Sequence, residues 1–372
     1  MKEFDRILVR ATNWLGDAVM SLAAFHALRA RYPAARISIL ARPWVADLYE
    51  REPFCDELIP YEAPPGFSGL GKKWKLAREL AERKFDAAIL LPNAFEAAAL
   101  VCSAGIPVRI GYARDGRGWL LTHAVEVPEE FHHLTKARKI RVDANGNPRA
   151  RQEIPRKAAV RHQRFYYLEL LRRSGLIDGY PADAESQLSG AGAAAEEGRR
   201  LFTDGGFPSA VIGMSPGAAF GSAKRWLPER FRDTGILLAR KWGAAVAVFG
   251  SPEEAALCEE ISKGISAAGV MAASLAGRTS LREFIDRAAA CFVYVTNDSG
   301  AMHVASALGV PTVAIFGATD AVATGPARSP FRIVQQKVEC SPCQLRECPI
   351  DHRCMERVTV ERVAAAAEEL VK

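Results

Sequence analysis

The stretch TNDSGAMHVASALGVPTVAIFGAT, residues 296–319, decides the fold. An apolar run from Ala290 to Val295 precedes it and reads as a buried strand. Asn297, Asp298, Ser299 and Gly300 suit a tight turn and a helix start. Met302 to Leu308 is expected to be a short helix, stopped by Gly309 and Pro311. Thr312 to Phe316 reads as a second buried strand. A polar turn therefore sits at the C-terminal end of one strand and at the start of the next helix. Ligands of open α/β sheets bind there. Backbone N–H groups at such a start can hold phosphate, and His303 is close enough in sequence to join them. A capped turn with no ligand is the competing reading.

Working outward, the same pattern recurs on both sides. Arg6 to Ala11 is a strand, and TNWLGDAVMS follows it. Met20, Ala23, Ala24, Ala27 and Leu28 then repeat at helical spacing, and Ala35 to Leu40 is the next strand. That is one βαβ unit. It has one glycine where the dinucleotide fingerprint needs three, and no Walker lysine. Asp17 therefore stands at a strand end without a standard phosphate loop. It is either a favourable partner of the helix dipole or a general base. Asp86 to Leu91 and Val108 to Gly111 continue the first series, with a Pro92–Phe95 turn between them.

A second βαβ series starts at Ala210, with strands at Val211 to Met214 and Ala244 to Phe249. Between them lie a Ser-Pro-Gly turn, Lys224, and Pro228 at a helix start. Lys224 is placed to reach a phosphate, or is a surface lysine. Ser251 to Glu254 and Ser280 to Glu283 read as capping boxes. Two polar intervals break the period. Pro60 to Lys75 reads as a loop, with Trp74 and its flanking lysines as contact candidates. Asp143 to Arg164 is strongly basic and fits a solvated face, an anionic acceptor or membrane headgroups.

The composition allows this architecture. The chain has 372 residues, 49% of them apolar and 25% charged, with a net charge of +6. That length favours two domains. No apolar run reaches the ~18 residues of a membrane span. The N-terminus does not read as a signal peptide, so a cytoplasmic location is expected. The basic stretch lacks aromatic interleaving and any nucleic-acid recognition motif. Four of the eight cysteines, Cys340, Cys343, Cys348 and Cys354, are spaced C-x2-C-x4-C-x5-C. Four thiolates so placed can surround zinc. An iron–sulfur cluster and reduced packed thiols are the alternatives.

NWLGDAVMS at 13–21, LPNAFEAA at 91–98, SPGAAFGSAKRW at 215–226 and TNDSGAMHVASALGVPTVAIFG at 296–317 fall in order along the chain. Together they resemble the ADP-heptose:lipopolysaccharide heptosyltransferases of glycosyltransferase family 9, above all the type II members. The resemblance implies a GT-B fold, two Rossmann-like domains facing across a cleft. The expected domains are an acceptor domain over 1–178 and an ADP-heptose domain with a cysteine-rich tail over 179–355. A C-terminal helix over 356–372 is expected to pack back on the first domain. Asp17 matches the family's catalytic acidic position, which implies a general base, and Lys224 the cation for the leaving phosphate. Ser222, Glu253, Asp298, Ser299, Gly300 and His303 are the other donor-site candidates, with Glu254 an alternative to Glu253. No catalytic cofactor is implied. The zinc expected at the cysteines is structural. The implied partners are ADP-heptose and a lipid A–Kdo–heptose acceptor at the cytoplasmic face of the inner membrane, and a monomer is expected. The rivals are a related transferase with another acceptor (type I or III) and a non-catalytic nucleotide-binding protein.

Overall fold

The structure, a computed structural model, describes residues 3–62, 69–131, 161–328 and 330–372. Most of the basic interval 143–164 and the centre of the 60–75 interval lie outside the described residues. Two compact units form. The first takes the chain up to His132 together with Gln163–Ser189, and the second contains Gly190–Lys372.

Short apolar runs build each sheet. In the first unit these are β1 (Arg6–Arg10), β2 (Arg36–Ala41), β3 (Glu57–Pro60), β4 (Ala87–Leu90), β5 (Val108–Tyr112) and β6 (His123–Val125). In the second they are β7 (Val211–Ser215), β8 (Ala245–Val248), β9 (Ala272–Ser274), β10 (Val293–Asn297), β11 (Thr312–Phe316) and β12 (Phe331–Gln335). The six-stranded orders are β3-β2-β1-β4-β5-β6 and β12-β11-β10-β7-β8-β9. Every pairing is parallel, with registers such as Ile7↔Ile37 and Val295↔Met214. Read from β9, the second order repeats the first. Both are the doubly wound order, which reverses direction between its first and fourth strands. The reversal falls between β1 and β4 in one unit and between β7 and β10 in the other.

Parallel strands of this kind are covered on both faces, which is why their sequences are continuously apolar. Leu8, Leu40, Ala88 and Leu90 join Leu76, Leu80 and Val101 in one core. Ile212, Val246, Val293 and Ile315 join Phe231, Leu238 and Ile265 in the other. Local signals set the helix starts. Pro228 opens Pro228–Trp242, and Ser280 and Glu283 form the expected capping box.

The division between the units differs from the expected one. The division falls after Ser189, not after 178, because the intervening residues are tied to the first unit. The Ser186 hydroxyl donates to the Met20 carbonyl at 3.2 Å, and the Ser189 N–H donates to Glu52 Oε1 at 2.8 Å. The last helix, Val360–Leu370, belongs to the second unit. Its buried face is Val363, Ala364 and Ala367, and these join the second core. Two small alanines let the helix seat closely there.

Candidate functional site

The second reversal point is built from three turns. β7 ends at Ser215 and runs into the Pro216–Gly217 turn, and β10 ends at Asn297. The Asn297 side chain, 0% exposed, ties these turns together. Its Oδ1 accepts the Trp226 N–H at 3.0 Å, and its Nδ2 donates to the Pro216 carbonyl at 2.6 Å. That fixes the short turn Ser222–Lys224 beside the strand end. Lys224 Nζ then lies 2.7 Å from Asp298 Oδ2, and both side chains are largely buried. Thr319, at the end of the β11 turn, donates its hydroxyl to the same carboxylate oxygen. The Phe220 ring lies 4.9 Å from Lys224 Nζ.

Helix Gly300–Ala307 starts directly after Asp298, with Ser299 as N-cap. The Ser299 side chain makes no capping bond, and its hydroxyl lies 3.3 Å from that of Thr296. No side chain therefore covers the helix start through its cap. His303, one turn in, is buried at 4% exposure, and its Nδ1 makes no hydrogen bond. Burial lowers its pKa to about 4. Asp298 opposes that shift, while His162 and Lys224 reinforce it. The ring is neutral at pH 7. The arrangement is a fixed cation, a set of helix N–H dipoles and a neutral imidazole, which suits an anionic leaving group.

Lys224, Asp298, Ser299, Gly300 and His303 are thus brought together. Ser222 is exposed on the edge of its turn. Glu253 is also exposed, and its hydrogen bond with the Ser251 hydroxyl lowers its pKa. Glu254 completes the capping box, with Oε2 accepting the Ser251 N–H at 3.0 Å. The same carboxylate packs on Gly217, where a Cβ would sit 2.0 Å from it.

The first reversal point holds Asp17, half-buried in helix Leu15–Met20 just beyond β1. Gln163 Nε2 donates to Asp17 Oδ1 at 2.7 Å. The buried Tyr167 phenol lies beside it and is pushed well above its usual pKa, first by burial and then by Asp17. Gln163 and Thr319 are residues that sequence reasoning missed. Each works through partners far away in sequence, so spacing held no signal for them.

The cysteine loop packs against the Lys224 turn. The Ala223 N–H donates to the Arg346 carbonyl at 2.9 Å, and His352 Nε2 donates to the Ala223 carbonyl at 3.1 Å. A Cβ at Gly221 would lie 2.2 Å from the Arg346 carbonyl oxygen. Cys340, Cys343, Cys348 and Cys354 line one small cavity with Gly317 and Ala318. Among the described residues, however, no three His, Cys, Asp or Glu side chains come together to hold a metal. The structure gives the expected zinc no support. Cys354 is spent on the second core, and burial pushes its thiol up to about 12.

Residues 73–353 match the family described as glycosyltransferase family 9 (heptosyltransferase). Lipopolysaccharide heptosyltransferase 2 of Escherichia coli K12 is 32% identical over 336 residues, covering 89% of this chain and 88% of that protein. Lipooligosaccharide heptosyltransferase 2 of Haemophilus influenzae is 29% identical, with 88% of each chain covered. The solved structure of the E. coli ADP-heptose heptosyltransferase II superposes with a TM-score of 0.78 over 98% of both chains, at 28% identity. A family 9 glycosyltransferase from Veillonella parvula gives a TM-score of 0.77 over 99% of this chain and 97% of its own, at 21% identity. The fold is GT-B.

Proposed function

Because the chain belongs to glycosyltransferase family 9, we propose that it transfers L-glycero-D-manno-heptose from ADP-heptose to the first heptose of the lipopolysaccharide inner core. The second unit binds the donor and the first receives a lipid A–Kdo–heptose acceptor. Asp17 takes the proton of the acceptor hydroxyl as that oxygen bonds to the anomeric carbon. The bond from that carbon to the ADP oxygen breaks, the electron pair leaves with ADP, and the anomeric configuration inverts. Lys224 and the N–H groups at Ser299 and Gly300 meet the charge that develops on the phosphate. Asp298 holds Lys224 in place, and neutral His303 donates to or accepts from the donor. Glu253 reaches the ribose hydroxyls.

The observation that carries this reading is the Lys224–Asp298 pair, 2.7 Å apart at the start of helix Gly300–Ala307. Turnover with ADP-heptose and core-truncated acceptors tests it. Transfer to a Kdo2-heptosyl acceptor is expected, and none at all would sink the type II assignment.

The protein works at the cytoplasmic face of the inner membrane through peripheral contact. No described helix is long and apolar enough to cross a membrane. Support for the contact comes from Trp14, Phe95 and Trp119. All are exposed, in the segments that follow β1, β4 and β5. Those strands are neighbours and parallel, so the segments share one edge of the sheet. Aromatic side chains of this kind favour the membrane interface. Cosedimentation with anionic vesicles, lost on combined Trp14→Ser and Trp119→Ser substitution, is the expected result.

A further inference from the structure

The first reversal point carries a positive cluster that the proposed chemistry leaves unused. Arg10 ends β1 and is only 3% exposed. Arginines buried so deeply are ordinarily paired with an acid. Arg10 instead donates to the Ala11 carbonyl, to Asn13 Oδ1 and to the Tyr61 hydroxyl. Its Nε is buried with no hydrogen-bond partner. Burial lowers its pKa, and Arg42 lowers it further.

Arg42 follows β2, the strand next to β1. Its guanidinium lies 4.5 Å from the centre of the Tyr61 ring, and that of Arg10 lies 4.8 Å from the same ring. Two cations therefore lie against one aromatic ring. Arg42 also lies 5.6 Å from the Trp44 ring. The Trp44 indole N–H donates to the Asn13 carbonyl at 2.8 Å, which fixes its plane, yet the side chain is largely in solvent. Asn13 is four residues before Asp17. A partly buried arginine, a second and deeply buried charge at the same tyrosine, and an indole held by its N–H stand at the C-terminal ends of neighbouring strands. Asp17 lies on the helix that follows the first of those strands.

We propose that Arg42 and Trp44 form an oxyanion-binding sugar subsite in the first unit. Arg42 takes a carboxylate or phosphate of the acceptor by charge-assisted hydrogen bonds. Trp44 lies against the sugar ring that carries the group. Arg10 strengthens the field at the subsite and holds Asn13 and Tyr61. This deepens the reading of the first unit as the acceptor side and rests on it.

The test is direct binding in the absence of ADP-heptose, so that it fails separately from the transfer reaction. The full chain is titrated with free Kdo, with its methyl ester and with glucose 6-phosphate, following tryptophan fluorescence and heat. Arg42→Gln is expected to weaken the tighter of the two anions at least about tenfold, the scale of one hydrogen bond to a charged group. ADP affinity should not change. The Kdo ester should bind the wild type no better than Kdo binds Arg42→Gln, if the carboxylate is the group recognised. Tighter binding of glucose 6-phosphate assigns the subsite to a phosphate. Arg42→Lys should recover part of the loss, and Trp44→Phe should retain most of the binding. These variants keep the test valid if Arg42→Gln folds poorly. In turnover, Arg42→Gln should raise the KM for acceptor and leave that for ADP-heptose unchanged. Equal affinity of wild type and Arg42→Gln for both anions would overturn the proposal.

Discussion

At the second reversal point Asn297, Asp298 and His303 are 0%, 3% and 4% exposed, whereas at the first Trp14 and Trp44 are 63% and 58% exposed. The strand order around the two points is the same. One end is a closed polar cluster whose members hold each other. The other is an open edge of indoles and guanidiniums around a half-buried carboxylate. A preorganised cluster suits a compact anion, because little side-chain freedom remains to be lost on binding. An open aromatic edge suits a larger amphipathic ligand that brings its own surface. The two points share a strand order and differ in the side chains at the strand ends, so any difference in what they bind comes from those side chains.

The largest effect should come from removing the base. Asp17→Asn keeps an oxygen to accept from Gln163, so the local fold should survive. Transfer should fall by roughly 10²–10⁴-fold, with ADP affinity unchanged. Single-turnover rates at saturating ADP-heptose check this. An unaltered rate would remove Asp17 from the chemistry and break the division of labour between the two points.

Lys224→Met comes next, and it acts twice. It removes the cation at the leaving phosphate, worth roughly 10²–10³ in rate if it acts like a single oxyanion donor. It also leaves Asp298 buried without its ion pair. Stability should therefore drop as well, and adding Asp298→Asn should restore part of it, because an unpaired buried charge is the costly species. The rate should stay low in the double variant. Denaturant midpoints and turnover measured together separate the two roles. Full recovery of rate by Asp298→Asn would show that the lysine serves only packing.

Much of this was legible from residues alone, and the part that was not has a physical pattern. The inner strands β1, β2, β4 and β5, and β7, β8, β10 and β11, stand out because both faces are covered. The burial pattern of β4 and β10 shows every residue inside. The sheet-edge strands β3, β6, β9 and β12 went unread. ELIP, HAV, AAS and FRIVQ are short or half-exposed, so they lack the apolar run that marks a central strand. Lys224, Asp298 and His303 were legible because strand-end turns advertise themselves. Thr319 and Gln163 were not, since each matters only through a carboxylate that folding brings to it. Gln163 is 146 residues from Asp17. The cysteine spacing placed four thiols on one loop, but spacing cannot say that Cys354 turns into the core.

His303 offers a test by pH. Its pKa is lowered to about 4, chiefly by burial. In the unfolded chain an imidazole titrates near 6.5. Between about pH 6.5 and about pH 4 the unfolded chain therefore binds a proton that the folded chain refuses. This contribution is full above pH 6.5 and is lost as the pH falls through that window. The whole shift corresponds to about 3 kcal/mol as an order of magnitude. Urea unfolding at pH 7 and pH 4.5 should show the loss, and His303→Gln should flatten that part of the profile. An equally steep profile in His303→Gln would mean that other groups carry it.

The smallest effect separates ligand from cap within the second unit itself. Glu254 is engaged in the capping box and against Gly217, whereas the Glu253 carboxylate is exposed and bonds with Ser251 and with backbone. If Glu253 meets the ribose, Glu253→Ala should weaken ADP binding by about three- to tenfold, the range of an ordinary hydrogen bond. The midpoint of unfolding should hardly move. Glu254→Ala should do the reverse, costing about 1 kcal/mol of stability through the lost cap and leaving ADP affinity nearly intact. Calorimetric ADP titration of both variants, with their melting curves, decides between them. Were Glu254→Ala the variant that loses ADP, the buried side of the turn would be the ribose contact. The contrast between a closed donor cluster and an open acceptor edge would then extend to every residue at the second point.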